Sequence, residues 1–349
     1  MSIHPIIEVR DVRRSFKSVK KKEGIRGALN LLIRPEYSTH EALKGVSFTI
    51  EEGSFVGLIG ANGAGKTTLL KILSGLIPPS SGSARVLGVE PFSRPMHFRK
   101  QIALLMGQKA QLWWDLPAVD AFDLLRAIYD IPLKIYQERL NELATLLDVT
   151  KHLNTQIRRL SLGERMKMEL IGSLLHWPKV IFLDEPTIGL DVLAAHNLRE
   201  FLRVFNQKEK ATIILTSHNM DDIERLCSRV LIIRSGELIY DGKPTGLTQK
   251  GERRLKLRFM EKTTQAELQS ITGLSADAIQ MGGDTEEDNE EDPEILERTV
   301  LMNIQQIQIV PVLQSLMNKF EITDMGIEEQ SLERVIQRIY SEDRNEVRS

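Results

Sequence analysis

Gly60-Ala61-Asn62-Gly63-Ala64-Gly65-Lys66-Thr67-Thr68 organises this chain of 349 residues. The apolar run Phe55 to Ile59 before it reads as a buried strand, and Leu69-Leu70-Lys71-Ile72-Leu73 after it carries a helical period. A strand feeding a glycine-rich turn into a helix is the setting in which G-x-x-x-x-G-K-[ST] binds phosphate. Glycine opens backbone angles closed to other residues, so successive N–H groups can face one anion. The new helix adds its own unpaired N–H groups and the positive end of its dipole. Gly60, Asn62, Gly63, Ala64, Gly65, Lys66, Thr67 and Thr68 are therefore expected to bind a nucleotide. Lys66 would reach the β- and γ-phosphates, and the Thr67 hydroxyl would sit on Mg²⁺. A chance glycine-rich turn is the alternative, and the strand and helix on either side disfavour it.

The length allows two domains, and 42% hydrophobic residues is ordinary for a globular protein. A formal charge of −2 argues against a dedicated nucleic-acid binder, which would carry a basic excess. The single cysteine, Cys227, excludes a disulfide framework and suits a reducing compartment. It falls in the helical pattern Asp221 to Cys227, where core packing explains it better than chemistry. No apolar run is long enough to span a bilayer. The early charges Glu8, Arg10, Asp11, Arg13 and Arg14 are unlike a secretory signal. A cytoplasmic chain is expected, with any membrane role exercised through a partner.

Taken in order, Ile6 to Val9 opens a first strand that ends near Phe16. The pattern breaks from Lys17 to His40, a basic insertion carrying Lys17, Lys20, Lys21, Lys22, Arg26 and Arg34. A solvated loop accounts for it, with contact to lipid headgroups or a membrane partner as the sharper alternative. Leu43 to Ile50 reads as a strand joined to the phosphate-loop strand by the tight turn Glu51 to Ser54. That geometry predicts an antiparallel pair, and hence a sheet that is not purely parallel. Pro78 to Gly82 reads as a loop; Ala84 to Leu87 and Ile102 to Met106 read as strands. Gln108 closes the last of these, where its amide oxygen can ligate Mg²⁺ or hold a water. Trp113-Trp114 follows; on a loop, a tryptophan pair marks a docking surface. Helical spacing over Val119 to Tyr129 and Ile135 to Leu147 marks a helical block inserted into an α/β framework, about residues 109–178 with the next helix.

That next helix opens at Leu160-Ser161-Leu162-Gly163-Glu164-Arg165. Ser161 and Glu164 have the spacing of a capping box, and a capped helix with glycine in its first turn also suits an anion. Val180 to Leu183 is an apolar run ending in Asp184-Glu185. A buried strand delivers its last residues to the sheet edge where α/β ligands sit. Asp184 would hold Mg²⁺ directly or through water, and Glu185 would orient or deprotonate an attacking water. Thr212 to Thr216 is a further buried strand, placing His218 within reach of a γ-phosphate.

These motifs, in this order, resemble an ABC-type ATPase cassette over about residues 6–247. The resemblance rests on the phosphate loop, Gln108, Leu160 to Arg165, Asp184-Glu185-Pro186, Gly189-Leu190-Asp191 and His218. It implies an α/β P-loop NTPase fold: a mixed sheet with a Rossmann-like core and an attached helical subdomain. It implies a head-to-tail dimer, homo- or heteromeric, with ATP between the phosphate loop of one copy and the signature helix of the other. Ser161 and Gly163 would then bind the γ-phosphate of the opposite subunit, Asp191 would cross the seam, and Phe16 would stack on adenine, with Tyr37 as the alternative. It implies a separate integral membrane permease as partner, contacting the helical subdomain near Trp113-Trp114, and a peripheral place on the inner face of the membrane. The narrower likeness is to ATPases of type-2 exporters. A soluble ATPase acting on ribosomes or DNA is the competing reading; neither a second cassette nor a long coiled-coil insertion favours it. Two departures stand out: Leu162 and Glu164 replace a glycine and a glutamine of the usual signature. Leu162 should stiffen the turn, and Glu164 adds negative charge near phosphate unless the capping box engages it.

Residues 251–349 read as an accessory α+β domain. Strands at Leu255 to Phe259, Arg298 to Ile304 and Ile322 to Met325 alternate with helices at Ala266 to Ile271, Val310 to Lys319 and Ser331 to Tyr340, a ferredoxin-like pattern. The acidic stretch 284–294 reads as a surface loop, and no catalytic constellation appears.

Overall fold

The computed structural model describes residues 5–19, 37–107, 110–247, 252–260, 263–281, 298–305, 308–329, 332–333 and 335–336. The chain divides into two compact units, residues 1–244 and 245–349.

The first unit holds β1 (Ile7–Val19), β2 (Tyr37–Ile50), β3 (Phe55–Ile59), β4 (Ser81–Val86), β5 (Ile102–Met106), β6 (Val180–Asp184), β7 (Thr212–Thr216), β8 (Arg229–Arg234) and β9 (Glu237–Gly242). Its helices of eight residues or more, and one that follows β7, are α1 (Lys66–Leu73), α2 (Ala118–Tyr129), α3 (Leu133–Leu146), α4 (Leu162–Leu174), α5 (Val192–Glu209) and α6 (Met220–Leu226). Six strands form one sheet in the order β5-β6-β7-β3-β8-β9. All pairs in it are parallel except β8 with β9. Phe55–Ile59 and Thr212–Thr216 are buried at every position, which is why they read as unbroken apolar runs rather than alternating ones. A second, antiparallel sheet has the order β2-β1-β4. Its inward residues Ile7, Val9, Val46, Phe48 and Ile50 share one core with Leu69, Leu70, Ile72 and Leu73 of α1 and with Leu58 and Leu231 of the large sheet. Burial of four apolar side chains on one face anchors α1, at about 1.5–3 kcal/mol each.

Three expectations are corrected. β2 and β3 do not pair: β2 joins β1, and β3 lies between β7 and β8. The Glu51–Ser54 turn therefore passes the chain from one sheet to the other, and the antiparallel element of the large sheet is β9. The break assigned to 17–40 is narrower, because Lys17 pairs with Thr39 and Val19 with Tyr37. Residues 20–36, with Lys20, Lys21, Lys22, Arg26 and Arg34, lie outside the described residues. The loop assigned to Pro78 to Gly82 gives way to β4 at Ser81, where Ser81 pairs with Arg13.

The helical block packs closely. Ala118, Ala121 and Phe122 of α2 are buried, as are Leu143 and Ala144 of α3 and Leu170 and Leu174 of α4. Gly172 lets α4 approach: a Cβ there would sit 3.0 Å from Leu112 Cδ2 and 3.1 Å from Leu125 Cδ1.

The second unit, by itself, comprises β10 (Glu252–Phe259), α7 (Gln265–Thr272), β11 (Ile279–Met281), β12 (Arg298–Gln305), α8 (Ile309–Met317) and β13 (Ile322–Glu329). Its antiparallel sheet has the order β11-β12-β10-β13, which for a β-α-β-β-α-β chain is the ferredoxin-like arrangement. Leu255, Leu257, Phe259, Val300 and Met302 pack under Leu268 of α7 and Val312 and Leu316 of α8. β11 is too short for an alternation to be legible. The acidic stretch 284–294 lies outside the described residues, as does most of Ser331 to Tyr340, of which 332–333 and 335–336 are helical.

Candidate active site

The phosphate loop leaves β3 at the middle of the large sheet and enters α1 at Lys66. Gly65 has φ +112°, and a Cβ on it would sit 2.5 Å from the Ala42 carbonyl oxygen. A Cβ on Gly60 would sit 2.4 Å from the Ile233 carbonyl oxygen. Both glycines are therefore forced by close backbone approach, Gly65 by its angle as well. Gly63 faces open space, with nothing within 4 Å of where a Cβ would be. Ala64 is buried and donates from N to Ala61 O at 3.1 Å, closing the turn.

Lys66 is only 6% exposed and donates from Nζ to Gly60 O at 2.5 Å and Ala61 O at 3.1 Å. Burial pulls its ammonium below the usual lysine range, and the charges of Glu185 and Asp184 oppose that shift. Thr67 Oγ1 donates to Asp184 Oδ2 at 2.9 Å, and Thr216 Oγ1 donates to Asp184 Oδ1 at 2.7 Å. Asp184 thus ends β6 with both oxygens engaged by hydroxyls from α1 and β7. Thr216, which reading of the sequence passed over, also accepts at Oγ1 from the Glu185 N–H at 3.1 Å. Its signal was available: a threonine ending a buried strand beside Ser217-His218. Glu185 sits at φ +55°, a left-handed conformation that costs a non-glycine residue about 1–3 kcal/mol. His218 Nε2 lies 3.0 Å from Glu185 Oε1. The structure therefore joins Lys66, Thr67, Asp184, Glu185 and His218 at the ends of adjacent parallel strands. Thr68 follows in the first turn of α1, and Asn62 is exposed at the loop tip.

A divalent cation fits this site on its donor chemistry. Thr67 Oγ1 and Asp184 Oδ2 are an all-oxygen pair at hydrogen-bond separation, and Mg²⁺ prefers a carboxylate and a hydroxyl beside phosphate oxygens to an all-protein cage. Gln108, the other expected ligand, lies outside the described residues. Its neighbour Gly107 donates from N to Asp184 O at 2.8 Å, and a Cβ on Gly107 would sit 2.3 Å from Glu185 O. The end of β5 is thus pressed against the two carboxylate residues.

The signature helix α4 begins with the expected capping box. Ser161 Oγ accepts from Glu164 N at 3.2 Å, and Glu164 Oε2 accepts from Ser161 N at 2.9 Å. Glu164 Oε1 lies 2.9 Å from His152 Nε2. The Ser161 backbone N–H is the main cause holding the Glu164 carboxyl below its ordinary range. The extra negative charge at this position is thereby engaged within its own helix start. By linkage, a lowered carboxyl stabilises the fold above the ordinary glutamate range and loses that contribution as pH falls through the folded-state value. Glu164→Gln, whose amide oxygen still accepts from Ser161 N, should flatten the acid limb of urea-unfolding midpoints. An unchanged limb would show that this carboxylate contributes nothing there.

Farther along α4, Glu169 is buried, and its Oε1 accepts from Gln111 N at 3.0 Å and Leu112 N at 3.2 Å. Burial raises its carboxyl, and the two N–H donors oppose the shift. This link ties α4 to the segment just after Gln108, and no sequence motif announces it. Gly163 packs against Leu190 and Ala194, and a Cβ on Gly189 would sit 2.7 Å from Leu162 Cδ2. Asp191 caps α5, accepting at Oδ1 from Ala194 N at 2.7 Å. Phe16 is exposed on β1 with the Arg14 guanidinium 4.7 Å from its ring centre. The side chain of Tyr37 lies outside the described residues. Trp113 and Trp114 are 45% and 48% exposed, with Arg165 stacked 5.2 Å from the Trp114 ring. Cys227 is buried, and burial pushes its thiol up, away from reactivity. Among the described residues no helix is long and apolar enough to cross a membrane.

Residues 43–188 match the family model described as ABC transporter. The chain is 34% identical over 202 residues to "ABC transporter ATP-binding protein NatA" of Bacillus subtilis, covering 58% of this chain and 82% of that one. It is 32% identical over 212 residues to "Nod factor export ATP-binding protein I" of Ralstonia nicotianae, covering 61% of this chain and 65% of that one. Among solved structures, a dimeric ATP-binding cassette bound to ADP and Pi matches with a TM-score of 0.57 at 22% identity, over 68% of this chain and 98% of that one. With a phosphate loop, a carboxylate pair and a capped signature helix on one mixed α/β sheet, the chain belongs to the ABC transporter family, as an ATP-binding, ATP-hydrolysing subunit.

Proposed function

We propose that this protein powers a separate integral membrane permease, in the export direction, by closing two cassettes over ATP and reopening them on hydrolysis. The observation that carries the catalytic part is the His218–Glu185 contact at 3.0 Å beside an Asp184 held by two hydroxyls. Glu185 accepts the proton of the attacking water, and His218 holds that carboxylate and faces the γ-phosphate. Lys66 leaves the Gly60 and Ala61 carbonyls to meet the β- and γ-phosphates. Thr67, Asp184 and Gln108 would hold Mg²⁺, which when bound would offset charge on the phosphates. Ser161 and Gly163 of a second copy complete the pocket from the other side, Asp191 crosses the seam, and Phe16 stacks on adenine. Charge-assisted hydrogen bonds to phosphate contribute about 1.5–3 kcal/mol each, so several across a seam drive closure.

The exposed Trp113-Trp114 pair supports a docking surface on the helical block, since paired aromatics are enriched at interface centres. The export direction is supported by the name of the Ralstonia relative, a Nod factor export ATP-binding protein. Through the permease the chain is held at the inner face of the membrane. Affinity capture of the full chain from detergent-solubilised membranes should recover an integral membrane protein in stoichiometric amount. Recovery of ribosomes or DNA in its place would favour the soluble-ATPase reading. Uptake into inverted vesicles carrying the pair, dependent on ATP outside, would report the export direction.

A further inference from the structure

We propose that Asp222 is a positioning residue that fixes the two loops bearing Glu185 and His218 relative to each other; the inference rests on the catalytic reading of those two residues given above. Asp222 is 0% exposed, at the start of α6. Its Oδ1 accepts from Arg199 Nη1 of α5 at 2.7 Å. Its Oδ2 accepts from both Thr187 Oγ1 and Ser217 Oγ, each at 2.6 Å. Thr187 lies two residues after Glu185, and Ser217 immediately precedes His218. One carboxylate oxygen therefore ties the exit of the Glu185 turn to the entry of the His218 loop.

The rest of the geometry gives this tie its leverage. The Glu185 turn is anchored at its start by Thr216, through the Glu185 N–H to Thr216 O and Oγ1, both at 3.1 Å. It is anchored at its end by Thr187 on Asp222. Ser217 also accepts at Oγ from Asn219 N at 3.0 Å, so the hydroxyl on Asp222 grips the backbone on both sides of His218. Glu185 holds a left-handed backbone conformation, which persists only where its surroundings over-determine it. A buried ion pair is a weak source of net stability, because well-packed apolar side chains of similar volume serve as well or better. What Arg199–Asp222 supplies that apolar packing cannot is a charged acceptor aimed at two hydroxyls at once. Hydrogen bonds to a charged acceptor are roughly twice as strong as neutral ones, so both loops are held firmly.

The test uses the full-length chain with Mg-ATP and two variants that keep the Arg199–Asp222 pair intact, Ser217→Ala and Thr187→Val. Each should lower single-turnover hydrolysis about tenfold while leaving ATP affinity within about twofold. Thr187→Ser, which keeps the hydroxyl, should restore the rate to within about twofold of wild type. In a His218→Ala background, Ser217→Ala should cost less than about twofold, because it acts through His218. Single-turnover conditions at high enzyme concentration keep the slow background readable. Wild-type rates in both hydroxyl variants would overturn the proposal, as would a rate loss matched by equal loss of ATP affinity. So would a full tenfold loss persisting without His218. Normal hydrolysis by Glu185→Gln together with slow hydroxyl variants would remove Glu185 as base and leave Asp222 as the residue that places His218.

Discussion

Glu185→Gln is expected to end ATP turnover, with a loss of about 10²–10⁴-fold from the missing general base, while nucleotide affinity is kept. The replacement is nearly isosteric. Its amide oxygen can still take the His218 Nε2 contact that Glu185 Oε1 makes at 3.0 Å, and its backbone keeps the bond to Thr216. Lys66, Thr67 and Asp184 are untouched, so the groups proposed to hold phosphate and Mg²⁺ remain. Hydrolysis then no longer reopens the closed form, and the variant should accumulate as a dimer in Mg-ATP and return to monomer when nucleotide is removed. Size exclusion with and without Mg-ATP, beside a phosphate-release assay, reads both halves. Turnover within a few-fold of wild type would take Glu185 out of the base role.

Lys66→Ala is expected to weaken ATP binding by about 10–100-fold, the size of one hydrogen bond to a charged partner. The side chain already sits over the loop, bonded to the Gly60 and Ala61 carbonyls. Its removal takes away both a cation for the phosphates and a brace inside the loop itself. Thermal unfolding of the nucleotide-free protein separates these effects. A loop brace alone would lower the melting temperature without altering the gain in stability on adding ATP. Loss of the phosphate partner would shrink that ligand-induced gain, which scales as RT ln(1 + [L]/Kd). Unchanged affinity would count against the phosphate-loop reading.

The two changes act on different parts of one site. In the proposed mechanism Glu185 works only once the phosphate chain is in place, and Lys66 works before chemistry begins. Their phenotypes should therefore not mix: one keeps affinity and loses rate, the other loses affinity first. The Ser217→Ala and Thr187→Val variants fall with the first class, because both hydroxyls bind Asp222 beside Glu185 and His218.

Local chemistry made much of this molecule legible before any coordinates. Gly60 to Thr68 between an apolar strand and a helix, the Ser161–Glu164 capping box, and Asp184-Glu185 ending a buried strand each follow from backbone rules that act over a few residues. The helices at 118–129 and 133–146 were legible for the same reason, since a 3.6-residue apolar period is a local property. What the amino-acid order did not decide was pairing between distant segments. A four-residue turn at Glu51 to Ser54 looks like a hairpin, and only burial of both β2 and β3 in different sheets around α1 overrides it. Likewise Asp222 meets Arg199, Thr187 and Ser217, and Glu169 meets Gln111 and Leu112, across separations that no periodicity encodes. Local residue order set which candidate groups gather around the phosphate loop; only the closed core brought the buried Asp222 and Glu169 carboxylates onto the segments that flank them. Catalytic residue types are set by the reaction, whereas a buried charge finds its partners only when the whole core closes around it.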